Sequence, residues 1–529
     1  MALDNSILVE LPEHGIAYKK VSGKTYVYYV TATYRNKNGN PTCDRSSIGR
    51  LDEASGKLIP NRNYYEIYLK QPAPPAGDIF SCGVYRVFDQ ICGKLGIKRL
   101  LDRYFPEHAA EMLAAAQYML SEGNVMYYID NYTETHQTAC GGVMSDKQCS
   151  KMFSELREED RMLFFREWMK HRQKDEYVAY DVTSISSYSR NITELEWGYN
   201  RDKERLPQIN LGMYYGEESK LPLYYKVYPG SISDKAHLKY MLGENEFING
   251  KKTRFVMDRG FYSAENLRYM AENGYRFIIA LPGSLKYCRE LIQTHGNEVK
   301  DRSECRLGQS LPYGKKYETT EFGFRMNIHL FYDAEKALKE ADALWQFIEA
   351  QENDLRDMTE PPDRKLHYDK YFFINRAKDG SLGYRRNHAA IDEALSLCGY
   401  FLIAETDFTK TTAEILDIYR RRDVVEKCFD DLKNETDMKR LHTHSDAATA
   451  GKLFCAFLAL IVRSYMANCL GEHMRQNGLT LKRVLLEFDK VRCTAFPTGH
   501  SMRITAPLTK TQRELLELLR VGHRMEGDV

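Results

Sequence analysis

Two aspartates in this 529-residue chain stand where carboxylates can do chemistry together. Asp181 falls near the end of Tyr177 to Thr183, a run that reads as a buried strand, and Asp258 ends a second such run, Arg254 to Asp258. Side chains at strand ends project toward a shared crevice, and the order of elements sets these two strands side by side. Carboxylates that close repel each other and raise a pKa unless a cation lies between them. Hard oxygen ligands of this kind suit Mg²⁺ or Mn²⁺, which keep some water and leave room for a phosphate. A lone aspartate at a strand end is more often a cap or a surface residue, so the pair calls for a third partner.

The third carboxylate is Glu426. Tyr419, Arg422, Glu426 and Lys433 follow one another on a helix expected from about Thr411 to Lys433. At about 100° per residue they fall within roughly a 60° arc. Ile418, Val425, Phe429 and Leu432 form an apolar stripe about 80° around the same helix, which docks it on a sheet and points the polar row over the strand ends. Charged helix faces of this kind are also ordinary solvated decoration. Asp423, Asp430 and Asp431 lie close by, Asp430 one turn along on a similar face, and Glu426 is chosen because it alone fits the four-residue row of the signature that these residues resemble.

The elements that position these residues read as α/β and multidomain. Residues 1–75 alternate in a β-rich pattern with turn signals at Asn38-Gly39 and Ser55-Gly56, and their lysines and arginines offer a possible DNA-binding face. Prolines 72, 74 and 75 mark a linker. Residues 76–175 carry a helical period, with helix starts near Ser145 and Glu158 and a possible DNA contact of helix-turn-helix type. From Glu176, three strands in hairpin order, a helix from Asp234 to Leu242, a fourth strand, a helix capped by Ser263 and closed by Gly274, and a fifth strand make the order of an RNase H-like core. That core, a mixed five-stranded sheet with helices, runs over 176–284 and resumes over 399–495. An inserted α+β domain occupies 285–398, because a structureless loop of that length is improbable. Residues 496–529 read as a C-terminal tail.

Composition sets outer limits. Lysine plus arginine (75) balances aspartate plus glutamate (74), so any DNA-binding surface is local rather than global. The twelve cysteines include no Cys-x-x-Cys pair and the N-terminus no signal segment, which points to a reducing cytoplasm. The most apolar run, Leu453 to Val462, ends at Arg463, short of the roughly 20 residues that span a bilayer, so it reads as a buried helix and no membrane partner is expected.

These residues resemble a family. The spacing of Tyr419, Arg422, Glu426 and Lys433 is similar to the tyrosine-arginine-glutamate-lysine signature of bacterial insertion-sequence DDE transposases of the cut-and-paste type. Asp181-Val182-Thr183-Ser184 resembles that family's first-aspartate strand and Asp258-Arg259-Gly260-Phe261 its second-aspartate motif, while Gly198 to Gln208, with Tyr199, Arg201 and Asp202, is also similar. The likeness runs from about 80 to 470. It implies a nuclease and strand transferase in which Asp181, Asp258 and Glu426 hold two Mg²⁺ or Mn²⁺ ions for in-line displacement at phosphorus. It also implies that Tyr419, Arg422, Lys433 and Arg259 contact DNA, and that a residue such as Trp345 is inserted near a flipped base. The implied partners are double-stranded DNA, as terminal inverted repeats and as target, and a second copy of the chain in a homodimeric synaptic complex. The implied location is the bacterial cytoplasm, at the nucleoid. Two rival functions stay open: an RNase H-like nuclease without strand transfer, and a domesticated DNA-binding protein that has lost catalysis.

Overall fold

The computed structural model describes residues 7–21, 23–73, 78–171, 176–200, 202–248, 253–308, 312–358, 367–376, 382–495, 502–504 and 507–522. Pro74, Pro75 and Arg201 lie outside them. The chain divides into two compact units, Met1–Glu155 with Gly451–Val529, and Leu156–Ala450.

The second unit is built on an eight-stranded mixed sheet. Its strands in chain order are β1 (Tyr177–Ser186), β2 (Gln208–Gly216), β3 (Pro222–Pro229), β4 (Arg254–Met257), β5 (Arg276–Leu281), β6 (Tyr313–Thr319), β7 (Met326–Tyr332) and β8 (Tyr400–Glu405). Across the sheet they run β6-β7-β8-β5-β4-β1-β2-β3. Only the central trio β1, β4 and β5 is parallel, and the other neighbours are antiparallel. Every residue of β1 is buried, as expected of a central strand covered on both faces. Between β3 and β4 the chain forms α1 (Asp234–Ile248), and between β4 and β5 α2 (Ala264–Glu272). Ser263 caps α2 by accepting from the Asn266 N–H, and Gly274, at φ 73°, closes it.

The expected five-stranded sheet is thus corrected to eight strands. The hairpin β6–β7, expected inside the inserted domain, extends the main sheet, because β8 has two edges to satisfy and β7 pairs with it from Asn327 to Tyr332. Met326, Ile328, Leu330 and Phe331 are all fully buried by that addition. What remains of the insertion has a small core of its own. A long helix (Ala334–Asp357), a hairpin (Phe372–Arg376 with Leu382–Arg386) and a short helix (His388–Ser396) enclose Ile348, Leu355, Tyr368, Tyr371, Phe372 and Ile391.

The first unit contains a four-stranded antiparallel sheet from Ile16 to Pro60 around Val27, Ile48, Leu58 and Tyr64. Asn38-Gly39 and Ser55-Gly56 both fall at its turns, each glycine at positive φ. Helices follow between Gly83 and Glu155. The expected second core segment, 399–495, leaves the sheet's unit at Ala450, and the expected tail contains a strand (Met502–Ile504) and a helix (Lys510–Leu518). The apolar run expected as a short helix is the middle of a 32-residue helix, Asp446–Asn477, long and apolar enough to cross a membrane, with 78% of its apolar window buried within the protein. A β-carbon at Gly451 of this helix would meet the Phe153 carbonyl at 2.1 Å, so glycine is what lets the two backbones touch. Cys82 and Cys493 form a disulfide, and ten described cysteines are free thiols.

Candidate active site

The parallel pairing of β1 and β4 sets Tyr180 opposite Met257, so the next residues, Asp181 and Asp258, step out together at the same edge. Asp181 is buried, and its Oδ1 accepts from the Val182 N–H at 2.8 Å. Asp258 is half-buried and caps a short turn, Arg259–Phe261, by accepting from the Gly260 N–H. Gly260 lets the carboxylate come close: a β-carbon there would stand 2.7 Å from Asp258 Oδ1, and the Asp258 side chain would have to shift. Phe261 is fully buried and its ring lies 4.8 Å from that of Tyr180, which pins the turn to the strand beside Asp181.

The helix expected from Thr411 to Lys433 is three pieces. α3 (Thr412–Arg421) opens with a capping box between Thr411 and Glu414. At Arg422 the path tightens, with the Arg422 N–H donating to the Tyr419 carbonyl and the Val425 N–H to that of Arg422. α4 (Asp423–Asp430) then gives way to a wide π turn, Asp431–Glu435. The apolar stripe survives these breaks, with Ile418, Val425, Phe429 and Leu432 all buried. The polar row does not share one environment. Tyr419 is half-buried, Arg422 is 8% exposed, Lys433 is 7% exposed, and only Glu426, with a side chain 54% exposed, faces solvent. A row expected on one face, pointing over the strand ends, is divided because the tight step and the wide turn change the angle per residue.

Arg422 is the electrostatic centre of the group. Its guanidinium donates to Glu426 Oε1 at 2.8 Å and lies 3.8 Å from Asp181 Oδ2, while the Tyr419 ring sits 5.7 Å away. Burial pulls the guanidinium's pKa down, but Tyr419, Asp181 and Glu426 outweigh that and leave it above its ordinary value, so it is a fixed positive charge. Burial also raises the Tyr419 phenol, which therefore stays a neutral donor. Arg422 Nε is buried without a hydrogen-bond partner, an arrangement that costs free energy unless something else repays it. Lys433 does not join this group; it pairs with Asp202. Neither Asp202 nor the arginine's bridge to Asp181 is visible from helix periodicity, because both partners lie more than 200 residues away in sequence.

Among the described residues, no three His, Cys, Asp or Glu side chains stand close enough together to hold a metal ion as they are placed. The donor set nevertheless fits a hard divalent cation in kind: Asp181, Asp258 and Glu426 offer carboxylate oxygens, and a buried positive group already stands between two of them. Beside Asp258 opens a cavity of about 630 Å³, lined by Arg259 and Tyr419 and by the further cations Arg289, Lys336 and Arg420. Trp345 is placed elsewhere, packed on the insertion's own core with Arg386 5.9 Å from its ring.

Comparison with known proteins adds three findings. No curated protein matches the chain significantly. A solved structure, a piggyBac transposase synaptic complex with hairpin DNA, is similar at 9% identity and a TM-score of 0.38, covering 79% of this chain and 77% of that one. The family model for the transposase DDE domain matches residues 172–462, more than half of the 529, and includes Asp181, Asp258 and Glu426. The chain therefore belongs to the transposase DDE domain family and is a DNA-cleaving transposase.

Proposed function

We propose that this transposase, of the bacterial insertion-sequence type, cuts DNA at the terminal repeats of its element and joins the freed ends to target DNA, using an RNase H-like centre of Asp181, Asp258 and Glu426. The observation that carries the reading is the register of β1 and β4, which brings two aspartates to one edge beside Arg422 and Glu426. Two divalent ions, Mg²⁺ or Mn²⁺, when bound to these carboxylates, would supply an activated water or 3′-hydroxyl and neutralise the leaving 3′-oxygen. Asp181 and Asp258 are held for that task by backbone N–H groups, and Glu426, exposed in the first turn of α4, reaches in from solvent. Arg422 neutralises Asp181 and Glu426 until a phosphate offers its fork a bidentate partner. The neutral Tyr419 hydroxyl and Arg259 contribute further donors at the same cavity.

Lys433, paired with Asp202, acts in this reading by holding the segment after β1 rather than by facing DNA directly. Synapsis by two copies of the chain at the nucleoid belongs to the same proposal. The test is incubation of DNA carrying the element's own ends with the protein, with Mg²⁺ and with chelator. Metal-dependent nicking followed by joining to a second duplex is expected. Nicking without joining would reduce the protein to a nuclease, and binding without nicking would overturn the catalytic reading.

A further inference from the structure

The segment between β1 and β2 carries three aromatic rings that no core uses. Tyr188 is 73% exposed, Trp197 67% and Tyr199 85%, all within twelve residues. Of the chain's three tryptophans, Trp168 is fully buried and Trp345 half-buried, so Trp197 alone faces solvent.

The backbone that presents Trp197 and Tyr199 is fixed. Glu196 and Gln208 exchange N–H donors at 3.1 and 3.0 Å. The Tyr199 carbonyl accepts from Gln208 Nε2 at 2.8 Å and faces Ser184 Oγ at 3.5 Å, and buried Asn200 donates to Ser186 Oγ at 3.1 Å. Gly198, between Trp197 and Tyr199, lies so close to Gly230 that a β-carbon would stand 1.8 Å from its carbonyl oxygen. Two acids of the segment are already paired, Asp202 with Lys433 and Glu204 with Arg440, and the Arg440 guanidinium also lies 5.5 Å from the Tyr188 ring. Arg190, Lys203 and Arg205 of the same segment are exposed. Exposed rings with cations in the same segment are what a single nucleic-acid strand requires, since every base has a face to stack and every linkage a negative charge.

We propose that Tyr188, Trp197 and Tyr199 form a ledge that stacks unpaired DNA bases beside the scissile phosphate. The proposal rests on the DNA-cleaving reading of Asp181 and Asp258 and adds the state of the DNA that the site takes. The ledge is anchored to β1 at Ser184 and Ser186, three and five residues past Asp181, or about 10 to 17 Å along the strand. Lys433, seven residues beyond Glu426, ties the same segment to the catalytic helix through Asp202, so base stacking and the carboxylates are mechanically joined.

The position of Trp197 supplies the readout. Titrating the full-length protein with an oligothymidylate of about 15 nucleotides should quench tryptophan fluorescence. Trp197→Phe should remove the quenching and keep the affinity, while Trp197→Ala with Tyr199→Ala should weaken single-strand binding about tenfold and leave duplex binding within about twofold. Absence of quenching, or equal loss of single-strand and duplex binding, would overturn the ledge. Metal-dependent cleavage of end DNA, measured on the same preparations, separates the two claims. Cleavage by a protein with no single-strand preference sinks the ledge alone, whereas a parent protein that cuts no DNA sinks the catalytic reading with it.

Discussion

The parallel strands β1, β4 and β5 carry carboxylates at both ends, and the two ends are treated differently. At the start of these strands, buried Asp407 receives the Tyr177 hydroxyl, the Thr409 hydroxyl at 2.9 Å, and the guanidiniums of Arg276 at 3.1 Å and Arg254 at 3.4 Å. Its neighbour Glu405, fully buried, accepts from Asn327 and from the N–H groups of Asp407 and Phe408, with His329 at 3.5 Å. At the opposite end, Asp258 accepts one backbone N–H and stands at a cavity mouth, and Glu426 takes one arginine and faces solvent. Acids that hold a fold together are surrounded by donors, because an unpaired buried charge is costly. Asp258 and Glu426, proposed to take a cation from solution, keep oxygen lone pairs turned outward, while Asp181 beside them is buried against the Val182 N–H and Arg422. On this comparison Asp407 is the acid expected to serve stability and Asp258 the acid proposed for chemistry.

The largest expected effect is on cleavage. Asp258→Asn should slow metal-dependent cutting about a thousandfold while its unfolding free energy in urea stays within about 0.5 kcal/mol of the parent. Equal losses of activity and stability would erase the distinction between the ends. The mirror-image change, Asp407→Asn, should cost about 3 kcal/mol in urea unfolding, because Arg254 and Arg276 lose a buried partner, and should leave the cutting rate per folded molecule unchanged.

Lys433→Ala falls between these extremes. Lys433 is buried and paired with Asp202, so a loss of about 1 kcal/mol is expected together with weaker binding of end DNA. A variant of full stability would return Lys433 to the solvent-facing role its spacing suggests.

The smallest effect concerns acid. Burial raises the Asp407 carboxyl, but the Tyr177 and Thr409 hydroxyls and the two guanidiniums outweigh it and hold the pKa below its ordinary value. A carboxyl depressed in the folded state contributes stability that is present above its unfolded pKa, about 4, and is lost as pH falls through the folded value. Asp407→Asn should therefore show a shallower fall in stability below pH about 4 than the parent, checked by thermal melts across that range.

Much of this arrangement could be read before the fold was known, and the misses have physical causes. The hairpin order of β1 to β3 and the placement of Asp258 follow from apolar runs, and Ser263 and Gly274 mark α2 through their capping chemistry, whereas Asp181, expected near the end of its strand, is the fifth of ten residues in β1. The apolar stripe from Ile418 to Leu432 was legible because burial depends on the helical period, and it tolerates one tight step and one wide turn. Long-range pairing was not legible. Arg422 and Lys433 look like charges on one polar face of a helical wheel, which does not show their buried pairing with Asp181 and Asp202, distant in sequence. The attachment of β6 and β7 to the main sheet was hidden for a related reason, since a hairpin pattern says which strands pair with each other and not which outside edge they extend.

The central claim is that Glu426 completes the metal centre with Asp181 and Asp258, and its most direct test is a parallel assay of Glu426→Gln and Asp430→Asn. Asp430 is also exposed at the other end of the same short helix, so it controls for loss of charge on α4. Binding of end DNA and metal-dependent cleavage are measured on both. The account predicts that both variants bind, that Glu426→Gln loses cleavage and strand transfer together, and that Asp430→Asn keeps both activities. Cleavage that survives Glu426→Gln and disappears with Asp430→Asn would contradict it.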